Sequence, residues 1–277
     1  MSAKLKSRLF VSVLLVFMLL LSLAVIVPLM IMLLGSFKNP TEVTAFDLKL
    51  PKVWLFGNYA EVFEKGGLAT AFSNSIFITA VSTCTTILIS SIAAFVLARK
   101  KSSLSRFLYY FFFIGTIIPM QVIPTIKLSN VFGFYGGYMN AILLYCALNI
   151  SFSCFLYTGF IKGLPRSLDE AAFLDGASVF RVFFSVIFPL LKPVNMTVMI
   201  LVFMNIWNDI NIPLYFLTNP SKWTMPLSVY QFFGMYSGSN WNLVFADLVM
   251  TVLPVIIVFL FAQKYIISGL TEGALKE

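Results

Sequence analysis

Six apolar runs, each about twenty residues or longer, limit what this chain can fold into. They fall at about 9–37, 69–98, 104–126, 138–161, 189–208 and 243–265. A helix needs about 20 apolar residues to cross the roughly 30 Å hydrocarbon layer of a bilayer. Helices and closed barrels alone satisfy their backbone polar groups there. The pattern predicts an all-α polytopic membrane protein: six transmembrane helices in a single transmembrane domain over 1–277. Composition agrees, since 60% of the residues are hydrophobic and 11% charged, against about 45–50% and about 25% in soluble domains. A water-soluble enzyme is excluded. Lys4, Lys6 and Arg8 precede the first run as in a signal peptide, but the run is too long for one and no A-x-A site follows, so the helix is expected to be retained. Pro28, Pro119, Pro124, Pro193 and Pro254 lie within runs. Such kinks mark cavities or gating elements in some membrane helices and are merely tolerated in others.

Cations set the orientation. With the N-terminus inside, the inner segments carry twelve: Lys4, Lys6, Arg8, Arg99, Lys100, Lys101, Arg106, Lys162, Arg166, Arg181, Lys264 and Lys276. The outer segments carry six, Lys38, Lys49, Lys52, Lys65, Lys127 and Lys222, and four of these share a loop with Glu42, Asp47, Glu61 and Glu64. Lys192, one turn inside the fifth run, is expected to snorkel back to the inner interface. The positive-inside rule places both termini in the cytoplasm. The net charge of +8 therefore reflects topology and gives no support for nucleic-acid binding. Histidine is absent, which removes the commonest general base and metal ligand. Cys84, Cys146 and Cys154 fall in apolar stretches with no CxxC spacing, so they are expected to be small buried hydrophobes.

One inner connection, 163–188, carries its own structure. Ser167 with Glu170 three residues on has the form of a capping box, predicting a helix that starts at Ser167. Leu168, Ala171 and Ala172 then share a face. Asp175-Gly176 should stop the helix with Gly in the left-handed conformation, and Ser178 can cap a second short helix. Pro189 suits the first turn of the next span. Such a helix–turn–helix is either a protein-docking element or an amphipathic loop on headgroups. The exposed alanines expected on its first helix favour docking, because small side chains let a partner backbone approach.

Glu170-Ala171-Ala172, with Gly176 and Pro189 at their spacings, resembles the EAA motif of permease subunits in binding-protein-dependent ABC importers; Val186 and Phe188 stand at its Ile and Leu places. Asn205-Ile206-Trp207-Asn208-Asp209 with Pro213-Leu214, and the tail Gln263–Lys276, are similar to the carbohydrate branch of that family, the maltose, raffinose and multiple-sugar type. The outer loop 209–241 fits its smaller permease subunit. The resemblance implies a type I importer permease fold in a bacterial cytoplasmic membrane, with 163–188 as the coupling loop and Ser167, Glu170, Ala171, Ala172, Asp175, Gly176 and Pro189 as its ATPase-coupling residues. It also implies a second permease subunit, two copies of an ABC ATPase and an extracytoplasmic sugar-binding protein. Trp223, Tyr230, Tyr236 and Trp241 are candidates for touching that protein, or else form an interfacial aromatic belt.

No GxxxxGK[ST] loop occurs, so the chain is expected to bind no cofactor and to leave ATP and Mg to its partner. No metal site is expected. Asn149, Asn205, Trp207, Asn208 and Asp209 have the amide, carboxylate and ring chemistry of a sugar pathway, although interhelical hydrogen bonding is the commoner use of such polar groups. Thr79, Thr83, Thr86 and Ser90 recur at helical spacing, as a packing seam would. Asp247 leaves open an ion-coupled transporter, although no acid–base pair accompanies it. Glycerol phosphate or a polyamine is the alternative cargo, but the intramembrane Arg or clustered acids each would want are missing.

Overall fold

The computed structural model describes residues 3–233 and 240–274. No strand occurs among them. The helices are α1 Ala3–Gly35, α2 Gly57–Lys65, α3 Leu68–Arg99, α4 Ser103–Gly115, α5 Val122–Val131, α6 Tyr138–Lys162, α7 Ser167–Leu174, α8 Val179–Arg181, α9 Phe188–Leu190, α10 Lys192–Trp207, α11 Asn211–Phe216, α12 Met225–Ser228 and α13 Trp241–Ala274. A π-helical turn, Val182–Ile187, joins α8 to α9. Among the described residues four helices are long and apolar enough to cross a bilayer, at Phe10–Gly35, Leu68–Arg99, Tyr138–Lys162 and Trp241–Gln263. A fifth crossing is possible if Val179–Leu190 and Lys192–Trp207, bent by 77° to each other, count as one span.

The apolar run at 104–126 is not one helix. It breaks between Gly115 and Val122 into α4 and α5. Pro119 lacks an N–H and pushes the residue before it out of the helical region. At 1.5 Å per residue each piece falls well short of about 30 Å. The fifth run also starts later than its hydropathy suggests, because Leu191 forms the bend and Pro193 takes the first turn of α10. Lys192 is accordingly the exposed first residue of α10, not a residue one turn inside it.

The chain packs as two compact units, residues 1–68 with 228–253, and residues 69–227 with 254–277. In the first, none of the most apolar stretch of α1 is buried, while the residues just beyond it are tied down. Asn58 Nδ2 donates to the Ser36 and Lys38 carbonyls at 2.8 and 3.0 Å, and its Oδ1 accepts from Asn242 Nδ2 at 3.1 Å. A Cβ at Gly35 would collide with the Phe245 ring, so only glycine lets α1 approach α13 there. Trp241 packs against Phe46, Phe233 and Phe245. Asp247 is fully buried and accepts from the Ser228 and Thr251 hydroxyls.

Lys38 is 1% exposed and meets Asp47 at 2.7 Å. The Lys38 ammonium holds the Asp47 carboxyl below the usual carboxylate range. A lowered folded pKa contributes stability that is complete above the ordinary value of about 4 and lost as pH falls through the folded value. Trp54 reports on this segment, its ring 5.2 Å from Phe37. The Trp54-dependent emission, taken as the difference from Trp54→Phe, should therefore stay constant down to pH about 4 and change only below it. Asp47→Asn should remove that acid transition; a transition that survives the substitution belongs to another group.

In the second unit, α3, α6 and α10 share a core that includes Ile78, Phe95, Tyr145, Tyr157, Ile187 and Val198. Thr79, Thr83, Thr86 and Ser90 are all buried, as a packing seam requires. Cys146 and Cys154 are buried, whereas Cys84 lies on the exposed side of α3.

Candidate functional site

The connection from α6 to α10 is a stiff elbow. Helix α7 does start at Ser167, but no capping box forms: Arg166 occupies the cap position in helical geometry with no side-chain bond. The chain instead enters by a tight turn after Pro165, in which the Asp169 and Glu170 N–H groups donate to the Arg166 carbonyl at 3.0 and 3.1 Å. The far end follows the sequence closely. Gly176 has φ +78, its N–H donates to Phe173 O at 3.0 Å, and the Ala177 N–H donates to Ala172 O at 3.0 Å. These are the paired bonds of a Schellman stop. Ser178 Oγ then accepts from the Arg181 N–H and caps α8.

Pro189 does not open the fifth span. It sits at the end of the π-helical turn, just before the bend at Leu191. A proline ring clashes with the carbonyl four residues back. The wider turn relieves that crowding, with Phe188 N–H reaching Phe183 O, five residues back. Wide turns of this kind recur at functional positions.

The faces of α7 also differ from the expected pattern. Asp169 is buried, Ala172 packs half-buried against the core, and Glu170 and Ala171 are exposed. Two large apolar side chains of the elbow are exposed as well, Leu174 on α7 at 89% and Phe180 on α8 at 73%. The elbow thus carries two apolar knobs as well as the exposed alanine, not a uniformly small face. Asp169 points inward because Arg99, the last residue of α3, meets it: Nε lies 2.5 Å from Oδ2 and Nη2 3.5 Å from Oδ1. The Nε contact is an ion pair whose N–H is not aimed at the oxygen. Arg99 Nη1 also donates to the Ile161 and Leu164 carbonyls at 3.2 Å each. Sequence reading missed both residues; the only signal was a carboxylate inside an otherwise apolar-facing register.

Of the pathway candidates, two are open. Asn205 is exposed and bonds to nothing among the described residues, and Asn208 is exposed with its Nδ2 turned back to Met204 O at 2.8 Å. Trp207 is 2% exposed, stacked on Phe203 and edged by Phe72, so it offers no ring face to a ligand from within this chain. Asp209 caps α11, accepting from the Ile212 and Asn211 N–H groups at 2.8 and 3.1 Å, and accepts from Tyr145 Oη at 3.0 Å. Asn149 is buried, with Nδ2 on Tyr145 O at 2.8 Å.

Residues 86–272, which contain this elbow, α10 and most of α13, match the family model described as binding-protein-dependent transport system inner membrane component. The chain belongs to that family. The permease is 36% identical over 93% of its length to a probable starch degradation products transport system permease protein, AmyC, of Thermoanaerobacterium thermosulfurigenes, 94% of which is covered. It is 35% identical over 80% of its length to the melibiose/raffinose/stachyose import permease protein MelC of Bacillus subtilis, covering 81% of that protein. Its fold matches a chain of a bacterial ABC transporter involved in the import of alginate, with a TM-score of 0.83, 23% identity, and 96% and 98% of the two chains covered. A second match is to a chain of an alginate ABC transporter in complex with a pentasaccharide-bound periplasmic protein, with a TM-score of 0.69, 12% identity and 93% of each chain covered.

The aromatic residues expected in the 209–241 loop are not equivalent. Tyr230 is 49% exposed. Trp223 is half-buried, its carbonyl held by Asn74 Nδ2 at 2.9 Å. Trp241 is half-buried against the three phenylalanine rings described above, and Tyr236 lies outside the described residues.

Proposed function

We propose that this chain is the smaller permease subunit of an ATP-driven importer for a neutral sugar or oligosaccharide. The observation that carries the reading is the elbow. A short helix bearing Glu170-Ala171-Ala172 is stopped by Gly176 and wired through α8, the π-helical turn and the Leu191 bend into α10. Family membership supplies the context, and the sugar names of the two permease relatives supply the cargo class. An ion-coupled mechanism through Asp247 has no such support.

In this reading both termini and the elbow face the cytoplasm, and the single permease domain crosses the membrane six times. The broken pair α4–α5 forms the third crossing and the bent pair the fifth. A second permease subunit completes the pathway, and two ABC ATPase subunits bind and hydrolyse Mg-ATP, for which this sequence has no GxxxxGK[ST] loop. One of them docks on Glu170, Ala171 and the apolar knobs Leu174 and Phe180. An extracytoplasmic binding protein delivers sugar to the outer loop, where Tyr230 is open to it. ATP-driven closure displaces α7, and the displacement turns α10. Asn205 on α10 and Asn208 at its C-terminal cap can exchange amide hydrogen bonds with sugar hydroxyls, whereas Asp209 is committed to capping α11.

The test is reconstitution of the permease with its partner subunits, binding protein and labelled oligosaccharides in proteoliposomes. Sugar accumulation that requires both internal ATP and binding protein supports the reading. Accumulation driven by an ion gradient without ATP, or no association with an ATPase, overturns it.

A further inference from the structure

Helix α7 is held at both ends by different means. At its C-terminal end the Gly176 stop passes it covalently to α8 and onward to α10. At its N-terminal end nothing covalent reaches beyond the α6 turn, yet Asp169 is clamped by a guanidinium from α3, some seventy residues earlier in the chain. The same guanidinium donates to the Ile161 carbonyl near the end of α6 and to the Leu164 carbonyl in the turn after it. One side chain therefore joins α3, α6 and α7. The pair is enclosed, with the Arg99 and Asp169 side chains 13% and 10% exposed, so water and salt screen it weakly.

We propose that Arg99 and Asp169 are positioning residues that make the second span, alongside α10, an output of the coupling elbow. This rests on the importer reading above. An apolar contact would hold α7 against α3 as tightly but would let it slide. The Arg99 guanidinium is itself held in place by its two Nη1 bonds to the Ile161 and Leu164 carbonyls, so the ion pair ties Asp169, and with it the N-terminal end of α7, to a fixed point on α3. A push on α7 is then shared: its C-terminal end drives α8 and α10, while its N-terminal end drives α3 through the ion pair. The paired charges also explain why a carboxylate sits on the buried face of a helix whose neighbour Glu170 carries the exposed one.

The experiment compares Asp169→Asn, Asp169→Glu and Arg99→Lys with the unaltered permease in the reconstituted complex. It reads ATP hydrolysed per sugar imported, together with the amount of ATPase that co-purifies. Asp169→Asn is expected to keep the ATPase bound and to raise the ATP-to-sugar ratio about tenfold, within the usual range for coupling between sites. Asp169→Glu, which keeps the charge, should recover most of the coupling. Arg99→Lys, which keeps the charge but loses the fork, should fall between. A normal ratio in Asp169→Asn overturns the proposal while the importer reading stands. Loss of the ATPase from both Asp169→Asn and Arg99→Lys makes the pair a scaffold for docking only, and also overturns it. If the unaltered permease itself binds no ATPase, the importer reading fails instead.

Discussion

Gly176→Val is expected to leave the complex assembled while cutting sugar uptake per ATP by about 5–30-fold. Gly176 sits at φ +78, where an L-residue pays roughly 1–2 kcal/mol, and a β-branched residue is a genuine outlier. A shift of that size changes an equilibrium by about 5–30-fold. A Cβ at this position would meet nothing within 4 Å, so no clash confuses the outcome. The change acts on backbone conformation alone. Leaving the left-handed region breaks the bond from Ala177 N–H to Ala172 O and unlocks the angle between α7 and α8. The series Asn, Ala, Val then ranks itself, because asparagine visits the left-handed region readily and alanine does not. Uptake per ATP should be near normal in Gly176→Asn, reduced in Gly176→Ala and lowest in Gly176→Val. Equal loss in all three would mean that the glycine is needed for room against the ATPase. Normal transport in Gly176→Val would mean that the angle does not matter.

The parts of this site that could be read from sequence are those decided within a few residues. Gly176 and Ser178 act on N–H and carbonyl groups no more than five positions away, so their types and spacing announced the stop and the second cap. Ser167 and Glu170 show the limit of such motifs. The local form of a capping box was present, but the preceding Pro165-Arg166 turn supplied the first helical bonds and the side chains were left free for other use. The orientation of α7 was not legible at all. Periodicity identifies a buried face by its apolar residues, and here the buried face carries Asp169, whose partner Arg99 lies in a different span. In the membrane runs the same tool fails for a different reason: every face is apolar, so hydropathy finds the crossing but not its breaks. Pro119 and Pro193 were visible, yet only the structure shows that the first splits a run into two helices and that the second begins one. Trp207 was misjudged likewise, since a tryptophan beside two amides suggests a ring platform until Phe203 and Phe72 are seen to cover it.

Glu170→Lys should strip the ATPase from the purified permease. The carboxylate lies in the first turn of α7, is exposed, and makes no ion pair among the described residues. Its removal therefore costs the fold little more than the loss of a favourable charge near a helix N-terminus, about 0.3–1 kcal/mol. Thermal unfolding of the isolated permease should shift by a few degrees at most. At an interface the same reversal is far larger, since like charges brought together cost several kcal/mol, and each 1.4 kcal/mol is about tenfold in affinity. Co-purification should fall at least about a hundredfold in low salt, and Glu170→Gln should lose much less. Unchanged co-purification in Glu170→Lys would place the docking surface elsewhere. The contrast with Asp169 sharpens the argument, because the two carboxylates are adjacent in sequence and opposite in direction. The outward one is expected to govern whether the ATPase binds, and the inward one whether its work reaches the membrane. If Glu170→Lys keeps the ATPase but wastes its ATP, while Asp169→Asn loses the ATPase outright, then the face of α7 that meets the partner has been assigned the wrong way round.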